Sequence, residues 1–254
     1  IFFDAPEGEG IERSTSLESL EKSGQERSIN KPAAFGAYLR AIRPDDLATI
    51  IYTSGTTGKA KGCLLTHGNV IANARQISSW LKFTEADRLL TMMPLFHMNA
   101  VSVTTMSALY AGGSTVVSPK FSVSRFWPII SDYQITSFGS VATMLSMLLS
   151  TYPDGVPEGL DTSRLRFAMC GSAPVPAEVL RRFEETFGCL VVEGYGLSES
   201  TCRSTFNPPD ERRRPHDDGR PAPRANRREL GSHVVRLGHG RVRQPDDGRR
   251  RQPR

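Results

Sequence analysis

Between residues 47 and 206 the chain alternates short apolar runs with stretches whose apolar positions recur at helical spacing. Runs at 47–51, 63–66, 88–92, 114–117, 136–140, 166–170 and 190–193 predict strands. Between them, Val70, Ala74, Ile77 and Leu81 share one face of a predicted helix over 70–81. Further helices are predicted over 101–110, buried, and over 123–133 and 142–149. Another starts near Pro176, carries Leu180, Phe183 and Phe187 on one face, and stops at Gly188. Thr84-x-x-Asp87 reads as a capped turn before a strand. Strand–helix alternation of this kind predicts an α/β fold with a largely parallel sheet flanked by helices.

The pattern fails at both ends. Residues 1–46 are weakly patterned, punctuated by Pro32 and Pro44, and read as a connecting segment of an incomplete large domain. Ile1 stands where a methionine would open a chain, which suggests a missing or removed beginning. From residue 208 onward there is no Phe, Tyr, Trp, Ile or Met. Residues 208–254 are rich in Arg, Pro and Gly, hold fourteen Arg and seven acids, and are expected to be disordered. Of the formal charge of +5, that segment holds +7 and residues 1–207 hold −2, so the basic balance says nothing of the patterned region. A nucleic-acid arm is not expected, because acids interrupt the arginines and aromatics are absent. The composition favours a translated wrong frame or a chimeric end.

Four cysteines, Cys63, Cys170, Cys189 and Cys202, show no close pairing, so no zinc or CxxC redox site is indicated. No apolar run is long enough for a membrane span, and a cytoplasmic setting with free thiols is expected.

Candidate chemistry concentrates in Tyr52-Thr53-Ser54-Gly55-Thr56-Thr57-Gly58-Lys59-Ala60-Lys61-Gly62. Glycines allow close backbone approach, while hydroxyls and ammonium groups suit a polyphosphate. It is not the P-loop of nucleotide hydrolases: Ala60 follows Lys59 where that motif needs Ser or Thr, and Thr53 stands at its first glycine. It also leads into a predicted strand and not a helix. The plain alternative is a surface hairpin, which has no need of two lysines and four hydroxyls.

This stretch resembles the phosphate-binding signature of the adenylate-forming (AMP-binding) superfamily, of acyl-CoA ligase type. Pro94-Leu95-Phe96-His97 resembles its Pro-x-Phe-His segment, and Gly194-Tyr195-Gly196-Leu197-Ser198-Glu199 its Tyr-Gly-x-Thr-Glu segment, with serine for threonine. Gly171-Ser172-Ala173-Pro174 is similar to the segment lying against adenine. The resemblance covers roughly residues 45–207, and 47–207 are expected to form the AMP-binding core, part of the family's large N-terminal domain. It implies ATP, Mg2+ and coenzyme A, with a small carboxylic acid as substrate. Thr53, Ser54, Gly55, Thr56, Thr57, Gly58 and Lys59 would hold the phosphates. Gly171 to Pro174, Glu193, Gly194, Tyr195 and Gly196 would line the nucleotide, with Tyr195 stacked on adenine. Ser198 would donate to the α-phosphate, Glu199 would bind the metal, and His97 would border the acyl pocket. Residues 121–127 resemble the carnitine or crotonobetaine type and some fatty-acid ligases.

Plainer readings stand beside these. Glu199 could be a solvated acid, Tyr195 a core residue, and His97 a satisfied loop histidine. His67 reads as structural, Trp80 and Trp127 as core or helix-surface aromatics, and Met92, Met93, Met98 and Met106 mostly as core. Gly219-Arg220-Pro221 reads as an accidental echo of the family's Gly-Arg-Pro. Family members supply a ribose-binding Asp and a catalytic Lys further on, but no Lys follows Lys120 here, so little ligase activity is expected of this chain. Two alternatives remain open: an amino-acid-activating segment of a peptide synthetase, and a non-enzymatic nucleotide-binding remnant.

Overall fold

The computed structural model describes residues 15–53 and 60–209, which fall into two compact units divided between Pro44 and Asp45. In the first unit, α1 (Leu17–Asn30) starts at Ser16, whose hydroxyl accepts the Ser19 N–H at 3.1 Å. A second helix, α2 (Ala33–Ala41), follows after Lys31. Neither helix has a buried residue, and Phe35, Tyr38 and Leu39 are exposed. Two helices thus occupy much of a stretch where weak patterning predicts no element.

The second unit opens with an antiparallel hairpin, β1 (Leu47–Thr53) and β2 (Lys61–Thr66). It continues through α3 (His67–Leu81) and β3 (Arg88–Thr91). A wide helix, α4, spans Asn99–Met106 with i→i+5 character and tightens to an ordinary turn over Ser107–Tyr110. Then come β4 (Ser114–Val117), α5 (Val123–Asp132), β5 (Ser137–Ser140), α6 (Ala142–Thr151), β6 (Phe167–Gly171), α7 (Ala177–Phe187), β7 (Leu190–Tyr195) and β8 (Thr205–Phe206).

The sheet has the order β4-β3-β5-β6-β7-β8 among the described residues, parallel except for the antiparallel β7–β8 pair. Both of its faces are covered, which explains why the strands read as continuous apolar runs. Successive residues face opposite sides. Leu90, Phe138, Ala168 and Val191 pack with α5, α6 and α7 through Phe126, Trp127, Leu145, Leu148 and Phe183. Leu89, Phe167, Met169 and Val192 join Leu65 of β2, Ile77 and Leu81 of α3 and Val103 of α4 on the other face. Trp127 is wholly buried, and Met92 and Met98 are core, as expected.

Several boundaries differ from the sequence pattern. The α3 helix begins at His67, three residues early, because Thr66 and Asn69 cap it reciprocally: the Asn69 N–H donates to the Thr66 hydroxyl at 3.2 Å and the Thr66 N–H to the Asn69 side chain at 3.1 Å. His67 is therefore the first residue of a helix. The α4 helix begins at Asn99, a polar residue that is nevertheless buried. Gly188 ends α7 in the left-handed region at φ 62°, as expected.

Candidate active site

The hairpin presents the loop between its strands. Thr53 pairs with Lys61 at the last rung of the ladder. Ser54, Gly55, Thr56, Thr57, Gly58 and Lys59 lie outside the described residues. What β2 touches is described. The Cys63 thiol donates to the Ser198 carbonyl at 3.4 Å. Burial, with a smaller contribution from the Glu199 charge, pushes that thiol up. Two residues along a strand span about 7 Å, so the loop's base at Lys61 stands close to the Ser198–Ser200 turn.

The second part of the site is the carboxyl rim of β6 and β7. Both strands run further than the apolar pattern predicts, through Gly171 and Gly194, which pair directly across the sheet. Backbone and not side chains occupies that point: a Cβ on Gly171 would overlap the Gly194 carbonyl and the Arg203 guanidinium. Beyond Gly171, Ser172 takes a left-handed φ of 73°, and Ser172, Ala173 and Pro174 are exposed. Glu193 ties this segment down, its carboxylate accepting the Val175 N–H at 3.2 Å. The half-buried Glu193 therefore braces the segment after β6 from β7.

After β7 the chain turns sharply. Tyr195 is 65% exposed, so it is not a core residue. Gly196 lies against the Cys202 backbone, where any Cβ would overlap the carbonyl. Ser198–Ser200 forms a short 3-10 turn, and Thr201, a β-branched residue, holds a φ of 73°. Positive φ at a residue of this type costs about 1–3 kcal/mol and concentrates at ligand sites. Among the described residues the Glu199 carboxylate is exposed and has no hydrogen bond or ion pair. An exposed carboxylate on a turn beside β2 has the oxygen chemistry that a magnesium ion takes. No cluster of three or more His, Cys, Asp or Glu occurs among the described residues, so an all-protein cage for a metal is not present there.

His97 sits apart from this turn in the contacts it makes. It closes a turn by donating its N–H to the Pro94 carbonyl at 2.9 Å, its ring leans on Phe96 at 5.3 Å, and both side chains are exposed. Met98, next to it, packs in the same cluster as Cys63 and Cys202, which brings the start of α4 to the same face of the sheet.

The sequence profile of the family described as AMP-binding enzyme matches residues 6–229. The chain belongs to the AMP-binding enzyme family. Over 181 residues it is 38% identical to a sulfoacetate–CoA ligase of Cupriavidus necator, a match covering 71% of this chain and 35% of that protein. It is 35% identical over 179 residues to an oxalate–CoA ligase of Arabidopsis thaliana, covering 69% and 34%. Among solved structures, ATP-bound MatB from Rhodopseudomonas palustris superposes with a TM-score of 0.61 at 33% identity, covering 71% of this chain and 35% of that one. The chain thus spans about a third of the length of the curated AMP-binding relatives it matches. The family match reaches further in both directions than the motif resemblance at 45–207. No helix among the described residues is long and apolar enough to cross a membrane.

Arg203, beside the same rim, lies outside the motifs. It is 5% exposed, and its Nη1 donates to the Gly194 carbonyl at 2.8 Å. The signal in the sequence is a single charge inside the otherwise uncharged run Ser200–Asn207, directly after Glu199.

Proposed function

We propose that this chain supplies the ATP- and acid-binding part of an adenylate-forming acid–CoA ligase. The observation that carries it is the contact of Cys63 with Ser198, which sets the hairpin bearing the glycine-rich loop beside the Ser198–Glu199 turn, on the rim where β6 and β7 end.

A free carboxylate is a poor acyl donor because its oxygen leaves badly. In the first half-reaction a carboxylate oxygen of the acid attacks the α-phosphorus of ATP. The bond to the bridging oxygen breaks, and pyrophosphate departs with that electron pair. In the second, the thiol sulfur of coenzyme A attacks the acyl carbonyl and AMP leaves. The nucleophile of each step belongs to a substrate, so the protein's part is to position groups and neutralise charge. Ser54, Thr56, Thr57 and Lys59 hold the β- and γ-phosphates in this reading, with Thr53 and the glycines Gly55 and Gly58 shaping the loop. The Ser198 hydroxyl donates to the α-phosphate. Tyr195 stacks on adenine opposite Gly171, Ser172, Ala173 and Pro174, and Gly194 and Gly196 let the backbone come close. Glu199 holds a magnesium ion, which neutralises phosphate charge when bound. His97, at the mouth of α4, borders the acid. The sulfoacetate and oxalate ligases among the relatives support a small acid and coenzyme A in place of a carrier-protein thiol.

The test is equilibrium binding of ATP with and without magnesium, beside pyrophosphate release across small carboxylic acids. Saturable binding that weakens about tenfold on magnesium removal, and equally in Glu199→Gln, supports the reading. Magnesium-independent binding, unchanged in Glu199→Gln, overturns it.

A further inference from the structure

Arg203 is a buried cation without a counter-ion. Among the described residues it forms no ion pair. Its Nη1 is held by the Gly194 carbonyl, and the guanidinium carbon lies 5.2 Å from the centre of the Phe206 ring. The other two nitrogens, Nε and Nη2, are buried and have no hydrogen-bond partner. They share one edge of the planar group, the edge that receives a carboxylate or sulfonate through two parallel bonds. The neighbouring thiols of Cys170 and Cys202 are each pushed up to about 11, mainly by burial, so neither supplies a negative charge at neutral pH. Glu193 is committed to the Val175 N–H. A buried guanidinium with three of its five N–H donors unpaired is costly unless a ligand completes it.

A second orphan sits on the same face. Asn99, at the start of α4, is 5% exposed, and both polar atoms of its side chain lack partners. It covers Gly139 of β5, where a Cβ would stand 3.1 Å from its Oδ1, as Arg203 covers Gly171 of β6. Gly139 pairs with Met169, two residues before Gly171, so both glycines face the side of the sheet occupied by α3 and α4. With neighbouring strands about 4.8 Å apart and two residues rising about 6.6 Å, the two glycines lie about 8 Å apart. Asn73 links the two regions, its Nδ2 donating to the Arg203 carbonyl at 2.8 Å and its Oδ1 accepting the Ser102 hydroxyl of α4 at 2.7 Å. A polar seam therefore runs between α4 and the rim of the sheet, floored by glycines.

We propose that Arg203 selects substrates bearing a second acidic group: the fork of Nε and Nη2 pairs with a carboxylate or sulfonate remote from the reacting carboxylate, and Asn99 bonds to the same end of the molecule. This rests on the adenylate-forming reading above and names its substrate class, a short-chain acid with two negative charges.

The experiment compares malonate with malonamate, the same skeleton with one acid replaced by a neutral amide, by calorimetry on the full-length protein with a non-hydrolysable ATP analogue present. Malonate binds at least tenfold more tightly, the size expected of a charge-assisted pair in a buried site. Arg203→Met removes that ratio, and Arg203→Lys restores part of it. A role in folding alone would weaken both ligands together and leave the ratio unchanged. Equal affinities in the unsubstituted protein overturn the proposal without any variant, as does a ratio that survives Arg203→Met. If the ATP analogue binds while the ratio is one, the substrate inference fails and the nucleotide site stands. If the analogue does not bind, both fail.

Discussion

Single atoms decide whether this site can form. Gly196 lies against the backbone of Cys202, and a methyl group there has only main chain to displace. Gly196→Ala is expected to cost about 1–3 kcal/mol and to weaken ATP binding in parallel, measured by denaturant unfolding and calorimetry. Glu193→Gln is a milder change. The amide oxygen can still accept from the Val175 N–H, so stability should fall by no more than about 1 kcal/mol, whereas Glu193→Ala frees residues 171–175 and should weaken adenine nucleotides selectively. At this scale a spelled-out motif tells which residues to look for: Tyr195 ends β7, and Ser198 and Glu199 fall in one turn beside β2, where the binding experiments test their roles. The sequence is not legible at Arg203 or Asn99. What marks them is buried side-chain nitrogen and oxygen atoms left without partners, and burial of a polar side chain depends on what the rest of the chain folds over it.

Among elements, the strands and helices of the second unit follow from periodicity, because a sheet covered on both faces demands continuous apolar runs. Boundaries escape wherever polar residues carry the structure. Thr66 and Asn69 start α3 through a reciprocal cap, Asn99 starts α4, and β6 and β7 continue through paired glycines that no hydrophobic pattern can register. One polar junction also holds elements together. Asp87, 3% exposed, accepts from Thr84, from the Thr136 hydroxyl at 2.8 Å and from Arg166 at 2.7 Å. Burial pushes its carboxyl up, but the hydrogen bonds from Thr84, Thr136 and Arg166 and the arginine's charge outweigh it and hold the carboxyl below its ordinary value. A carboxyl with a lowered folded value stabilises the fold above its unfolded pKa, near 3.9, and loses that contribution as pH falls through the folded value. Acid unfolding of the unsubstituted protein should therefore steepen below about pH 4, and Asp87→Asn, costing about 2 kcal/mol at pH 7, should flatten that limb. Circular dichroism against pH reads both.

Across the molecule, all four cysteines are buried, and Cys189 is pushed up to about 12 by its surroundings, chiefly by desolvation. Thiols so placed should resist iodoacetamide at pH 8 while the fold is intact and react together once it opens. Labelling rate then reports global opening, and saturating ATP with magnesium should slow it in proportion to the affinity measured directly. The Cys63–Ser198 contact joins residues 135 positions apart. Nothing local can bring them together, since every strand from β3 to β7 must take its place in between. On the proposed reading, nucleotide affinity therefore depends on the assembled sheet: the hairpin meets its counterpart turn only across that separation, and ATP can reward only chains that have already arrived.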